Sequence, residues 1–201
     1  LSMVLVLGVM MVLLVMVLKQ QNADDSTAGT VKKAVEDGGV DKMLTALRRY
    51  ATMHDFVLLT PAKVKSGEKV ADLDALLVTY AGVVGVKCLG MNGQVFANPG
   101  DENWLRVAGD TRESFRNPLD VRAADVRVLR DVLAEAKLRT VKIECLSVFT
   151  AKELTLAVPK SMNVLRSKDL LTLLGKEKYL ADSGVDKAAV VAALTGAIGN
   201  D

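Results

Sequence analysis

Residues 73–97 read LDALLVTYAGVVGVKCLGMNGQVFA and contain three strand-like runs, 73–80, 82–89 and 94–97, separated by turn chemistry. Short apolar runs rich in valine and bounded by Gly and Asn are strand signals. Asn92-Gly93 is the strongest turn signal of the group, because both residues tolerate the positive φ of a two-residue hairpin. With a further run at 55–60 upstream, the stretch predicts a three- to four-stranded antiparallel meander that ends at Asn98-Pro99-Gly100.

Helices are expected on both sides of this stretch. Upstream, Val31, Ala34, Val35, Val40, Met43, Leu44 and Leu47 keep a helical spacing over residues 30–50, interrupted at Gly38-Gly39, and Arg48 and Arg49 suit the negative end of the helix dipole. Downstream, Asn117-Pro118 opens the clearest helix, with Asn as N-cap and Pro at the first helical position, and Leu119, Val126, Leu129, Leu133 and Ala136 continue one face. VKIECLSVF at 141–149 is then a buried strand. Ser167 reads as the cap of a helix over 168–174, and Ser183 and Asp186 stand in capping-box-like positions before a last helix over 185–198. Strands, then helix, then strand give the α/β class, a mixed sheet flanked by helices.

The N-terminal end differs in kind. Residues 1–18, LSMVLVLGVMMVLLVMVL, carry no ionisable side chain, and only Ser2 and Gly8 lie outside the apolar class. At ~1.5 Å per residue such a helix spans about 27 Å, near the ~30 Å hydrocarbon core of a bilayer. A buried soluble helix would show polar punctuation or an amphipathic period, and this run shows neither. A cleaved signal peptide would have a basic start, which is missing here. The run therefore reads as one retained transmembrane anchor (1–19), followed by a polar tether (20–29) and an α/β domain with C-terminal helices (30–201). Lys19, Lys32 and Lys33 follow the span, which by the positive-inside rule puts the domain on the cytoplasmic or matrix face.

Charge and cysteine usage exclude several functions. The net charge is +2, and residues 106–142 hold nine basic and six acidic side chains, too balanced for a nucleic-acid footprint. One histidine and two cysteines argue against a zinc site and a disulfide scaffold, and Cys88 and Cys145, both in apolar runs, are expected as buried free thiols. The segment Lys63-Val64-Lys65-Ser66-Gly67-Glu68-Lys69 reads as a solvated charged loop without the P-loop pattern. His54 has no Ser or Cys partner at a recognisable spacing and is expected at a helix end, and Trp104 is expected to cover the sheet.

Asp74 on a strand, the apolar strand that follows, Asn92-Gly93-Gln94-Val95, Trp104 and Phe115-x-Asn117-Pro118-Leu119 opening a helix resemble, in order and spacing, the nuclease-related (NERD) domain. The resemblance continues through Val148-Phe149 and from Val164 to Leu174, and it covers nearly all of residues 30–198. It implies a restriction-endonuclease-like core and Mg²⁺-dependent phosphodiester cleavage. The family pattern places a Glu after Gly on the first helix, an Asp on a strand, and Glu-x-Lys on the next strand, whose alternation turns both side chains to one face. The carboxylates would hold the metal, and the Lys would help position the nucleophile.

Laid on this sequence without gaps, Gly39 matches the helix glycine, but Val40 falls on the Glu, Lys87 on the Glu of Glu-x-Lys, Leu89 on its Lys, and Val121 on the Gln that follows Asn-Pro in many members. Only Asp74 matches. A two-residue gap would make Lys87 the Lys and put Gly85 on the Glu. Asp41 would need a rotation of about 100° around the helix to reach the site. Asp72 shares a strand face with Asp74 but is expected in water at the strand end. No catalytic, cofactor or metal site is therefore expected, with Asp74 and Lys87 as remnants. The expected function is a single-pass, membrane-anchored, non-catalytic accessory or scaffolding subunit whose partners are the lipid bilayer and other subunits, nucleic acid not among them. The alternative is a membrane-tethered nuclease or DNA-binding protein with Mg²⁺ at Asp74.

Overall fold

Gly39 opens the described part of the chain, residues 39–162 and 164–199 of a computed structural model. The expected anchor, the tether and the first part of the predicted helix (30–38) lie outside the described residues. Among the described residues no helix is long and apolar enough to cross a membrane. Gly39, at φ 99°, is the N-cap of α1 (Val40–Met53), so the helix starts where the glycines interrupt the pattern. A Cβ on Gly39 would stand 2.6 Å from the Thr150 carbonyl oxygen, a close approach that only glycine permits.

Strands β1 (Val57–Leu59), β2 (Ala62–Ser66), β3 (Lys69–Leu73), β4 (Ala75–Val78), β5 (Gly82–Leu89), β6 (Gly93–Phe96), β7 (Asn103–Ala108) and β8 (Thr111–Arg116) follow. Next come α2 (Pro118–Glu135), β9 (Lys142–Phe149), β10 (Leu154–Ala157) and β11 (Leu165–Arg166), and then α3 (Ser167–Leu174), α4 (Glu177–Leu180) and α5 (Lys187–Ala197). The main sheet runs β1-β4-β5-β9-β11, antiparallel up to β5 and parallel from β5 onward. A second sheet runs β10-β6-β7-β8, and β2 and β3 form a separate hairpin. The fold is thus mixed α/β with helices on both faces of the main sheet.

Strand β5 is central because its apolar run is continuous and buried on both faces through its first five residues. Val84, Val86 and Cys88 join Leu47, Tyr50 and Leu170 in the cluster under α1, α3 and α4. Val83 joins Leu76, Leu129, Leu133 and Leu194 in the cluster under α2 and α5. A third cluster, around Trp104, Phe149 and Leu154, fills the second sheet.

Several expectations need correction. The runs at 55–60, 73–80 and 82–89 do form adjacent antiparallel strands, but Asn92-Gly93 does not close a hairpin. The free edge of β5 is taken by β9 in eight register pairs, from Gly82 with Lys142 to Leu89 with Phe149, and the four-residue β6 pairs elsewhere. Gly93, at φ 95°, serves close approach instead, since a Cβ there would collide with the Val107 carbonyl oxygen. The charged stretch Lys63–Lys69 is not a loop but most of the β2–β3 hairpin, in which buried Ala62, Val64, Ala71 and Leu73 face the α2 cluster while Lys63 and Lys65 alternate outward, and Lys69, at the end of the inner face, reaches Asp131 of α2 at 3.1 Å. Ser167 is the first residue of α3, not its cap: Arg166 takes that position, and the Ser167 hydroxyl donates to the Phe149 carbonyl oxygen.

Asn117 and Asp186 cap their helices as expected, but α1 runs on to Met53, so Arg48 and Arg49 do not lie in its last turn. Ser183 stands three residues before the Asp186 cap, with its N–H donating to the Tyr80 carbonyl oxygen. Asn117 Oδ1 accepts from the Leu119 N–H at 2.9 Å and Asp186 Oδ1 accepts from the Ala189 N–H at 3.0 Å. His54 caps the C-terminal end of α1 and stacks on Phe56. Trp104 is buried within the second sheet, parallel to Phe149.

Candidate functional site

Asp74 lies at the junction of β3 and β4. The antiparallel register Ala75 with Val86, continued by one residue, sets Asp74 opposite Lys87. The backbone holds the carboxylate in place: the Asp74 N–H donates to the Val86 carbonyl at 2.9 Å, and the Cys88 N–H donates to Asp74 Oδ2 at 2.6 Å. Alternation puts Lys87 on the same side of β5 as Val83, the side packed by α2. Its Nζ lies 2.9 Å from Asp72 Oδ2 and 3.3 Å from Asp74 Oδ1. Asp72 is thus solvent-exposed, as expected at a strand end, yet it is also tied to Lys87.

One ammonium therefore bridges two carboxylates. Burial is the largest influence on Lys87 and acts to lower its pKa, but the hydrogen bond to Asp72 and the charges of Asp74 and Asp72 outweigh it, and the net shift is upward. Lys87 stays charged. Next to it the Cys88 thiol is pushed up to about 12, first by burial and then by the negative charge of Asp74. A thiol so raised is not a nucleophile at neutral pH. The same holds for Cys145, which is also pushed up to about 12, chiefly by burial. Both cysteines are free thiols, Cys88 buried and Cys145 partly so.

Behind this group α2 contributes a second pair, Arg122 and Asp125, three residues apart and both buried. Arg122 Nη2 lies 2.8 Å from Asp125 Oδ2, a charge contact not aligned as a hydrogen bond. The guanidinium Nε and Nη1 have no hydrogen-bond partner among the described residues. Burial pushes the Asp125 carboxyl up to about 6, with Arg122 opposing; the nearby charges of Asp72 and Lys87 raise and lower it respectively. The site expected from sequence did not include this pair. The signal was available: residues 122 and 125 continue the 129 and 133 stripe of the helix, so two ionisable side chains fall on its buried face.

The family pattern of the nuclease-related domain, NERD, matches residues 37–150, more than half of the chain. The chain belongs to the NERD family. No curated protein and no solved structure matches it. The NERD match contains α1 through β9 and both charge groups, and it stops short of β10 and the C-terminal helices that the sequence resemblance included.

Of the positions a NERD nuclease would use, the structure brings Asp74 and Lys87 together and separates the others. Val40 packs against the cluster on the opposite face of the sheet, under α1. Asp41 is exposed. Leu89 packs with the Trp104 cluster, and a Cβ on Gly85 would press against Cys145 and Leu73 at 2.8 Å, so neither gap choice adds a carboxylate. Val121 is only partly buried, next to the inward-facing Arg122.

Mg²⁺ requires near-octahedral oxygen ligation. Asp74 has one oxygen on a backbone N–H and the other on Lys87, whose ammonium also takes Asp72. No group of three His, Cys, Asp or Glu among the described residues could hold a metal. The residues present do not fit the ion that the family resemblance implies.

Proposed function

We propose that this NERD chain is a single-pass, membrane-anchored, non-catalytic module that serves as an accessory or scaffolding subunit of a membrane protein assembly, with its α/β domain on the cytoplasmic or matrix side. The observation that carries the non-catalytic reading is the Lys87 ammonium between Asp72 and Asp74. A fixed positive charge in the place of a carboxylate turns attraction for a divalent ion into repulsion at short range. The raised thiols of Cys88 and Cys145 supply no substitute nucleophile. The attachment rests on the uninterrupted apolar run 1–18, which lacks the small-xxx-small pattern of tight self-pairing and so favours other helices or lipid as its neighbours.

The test uses the full chain extracted in mild detergent. Supercoiled plasmid is incubated with the protein and Mg²⁺ or Mn²⁺, and co-purifying proteins are quantified. The expected result is no nicking above buffer, no change with Asp74→Ala, and one or more subunits recovered in fixed ratio. Metal-dependent nicking that Asp74→Ala abolishes would establish the nuclease reading instead. Recovery of a lone monomer would overturn the accessory role.

A further inference from the structure

The two sheets meet edge to edge outside the charge groups described above. The short β11 covers only Val148 and Phe149 of β9, so the edge of the main sheet at Glu144 and Leu146 is left open. The Arg166 guanidinium donates to the Leu154 carbonyl and ties this edge to β10, the edge of the second sheet. The seam between them, flanked by α3, forms a cleft of about 710 Å³, within the size range of small-molecule sites.

The floor of the cleft is aliphatic. Leu146, Leu165 and Leu173 are only partly buried against the α1 cluster, and Leu156, Val158 and Val164 are only partly buried against the Trp104 cluster. A contiguous aliphatic surface left uncovered where two cores meet marks a place for an apolar occupant. The rim carries Lys160, Lys176 and Lys178 against Glu144 and Asp169. Glu144 is already neutralised by Lys178 at 3.1 Å and accepts from the Tyr179 hydroxyl at 2.9 Å. That leaves Lys160 and Lys176, neither of which has an ion-pair partner among the described residues, facing the single carboxylate of Asp169.

We propose that this cleft binds a single aliphatic chain with an anionic head, carboxylate or phosphate. The chain lies along the six aliphatic side chains, and the head is held by Lys160 and Lys176. Every residue lining the cleft lies in the described α/β domain, so its occupant does not depend on the apolar run 1–18.

The test is photolabelling of the full chain, reconstituted in phosphatidylcholine nanodiscs, with a diazirine analogue of palmitate, followed by peptide mapping. Adducts are expected in peptides spanning residues 156–173. Oleate and lysophosphatidate should compete, and oleyl alcohol, which has the same chain without the charge, should compete far less. Competition by only one of the two anions supports the proposal and names the head. Lys160→Gln with Lys176→Gln, both on exposed side chains, should leave the fold intact and lower labelling about tenfold. Equal labelling of the double variant, equal competition by oleyl alcohol, or adducts confined to residues outside the cleft would each overturn the proposal.

Discussion

The α2 side of the main sheet carries two charge groups in opposite surroundings. In the first, Lys87 and Asp74 keep about a quarter of their side-chain surface in water, 23% and 25%, and Asp72 keeps 68%. In the second, Arg122 and Asp125 keep 8% and 4%, and two guanidinium nitrogens lack partners among the described residues. The first is open to solvent, with a side-chain ammonium between two carboxylates. The second is a sealed pair whose desolvation cost is large and whose partners depend on each other. The family pattern points only to the first, whereas removing one partner is expected to cost more in the second.

The contrast can be broken by removing one member of each group. Arg122→Ala leaves a buried carboxylate without its cation and should cost about 3–5 kcal/mol, read as a lower urea midpoint at unchanged slope. Replacing both partners, Arg122→Met with Asp125→Leu, should recover most of that loss, because buried apolar substitutes avoid the desolvation cost. A loss below about 1 kcal/mol for Arg122→Ala would place the pair in the screened class of surface bridges. Lys87→Ala should cost less, about 1 kcal/mol, because water screens the two carboxylates it leaves behind. Its informative readout is metal binding. Lys87→Ala, and more strongly Lys87→Glu, should acquire a Mn²⁺ site visible by electron paramagnetic resonance, absent from the unsubstituted chain and lost again with Asp74→Asn. Folded Lys87 variants that bind no Mn²⁺ would show that Asp72 and Asp74 do not form a cation seat.

Much of this architecture was legible in the sequence, because it follows from local chemistry. The Asn117-Pro118 start, the Asp186 cap and the apolar strands at 75–78, 82–89 and 142–149 each rest on near neighbours in the chain. The errors arose where pairing was decided at long range. Asn92-Gly93 carries hairpin chemistry, yet β9 makes eight pairs with β5 and excludes β6. The lysines at 63, 65 and 69 suggest a loop, but Lys63 and Lys65 alternate with Ala62 and Val64, and their register with Ala71 and Leu73 produces a hairpin with one buried face. Asp74 and Lys87 could be found from the motif. Their contact depends on the β4–β5 register, and the role of Asp72 depends on the same register. Arg122 and Asp125 escaped because a polar residue on an apolar stripe reads as noise until the facing strand is known.

The smallest effect separates the two groups by sign. The Asp125 carboxyl rises from its ordinary value of 3.8 to about 6, with burial as the main cause. Between those values the folded chain holds more protons than the unfolded one, so this group makes the protein more stable as pH falls. Acidification from pH 7 to pH 5 should therefore add about 1 kcal/mol, measured as a rising urea midpoint, and Asp125→Asn should flatten that slope. Other shifted groups act elsewhere. Asp55 is held below its ordinary value, first by its hydrogen bond from Lys187, so its contribution is lost only in more acidic solution, and the raised Lys87 titrates far above this window. A midpoint that instead falls between pH 7 and pH 5, with the fall abolished by Asp125→Asn, would mean that Arg122 outweighs burial and holds the Asp125 carboxyl below its ordinary value. Arg122–Asp125 would then be a true salt bridge of the same kind as Lys87 with its two carboxylates, and burial would no longer distinguish the two groups.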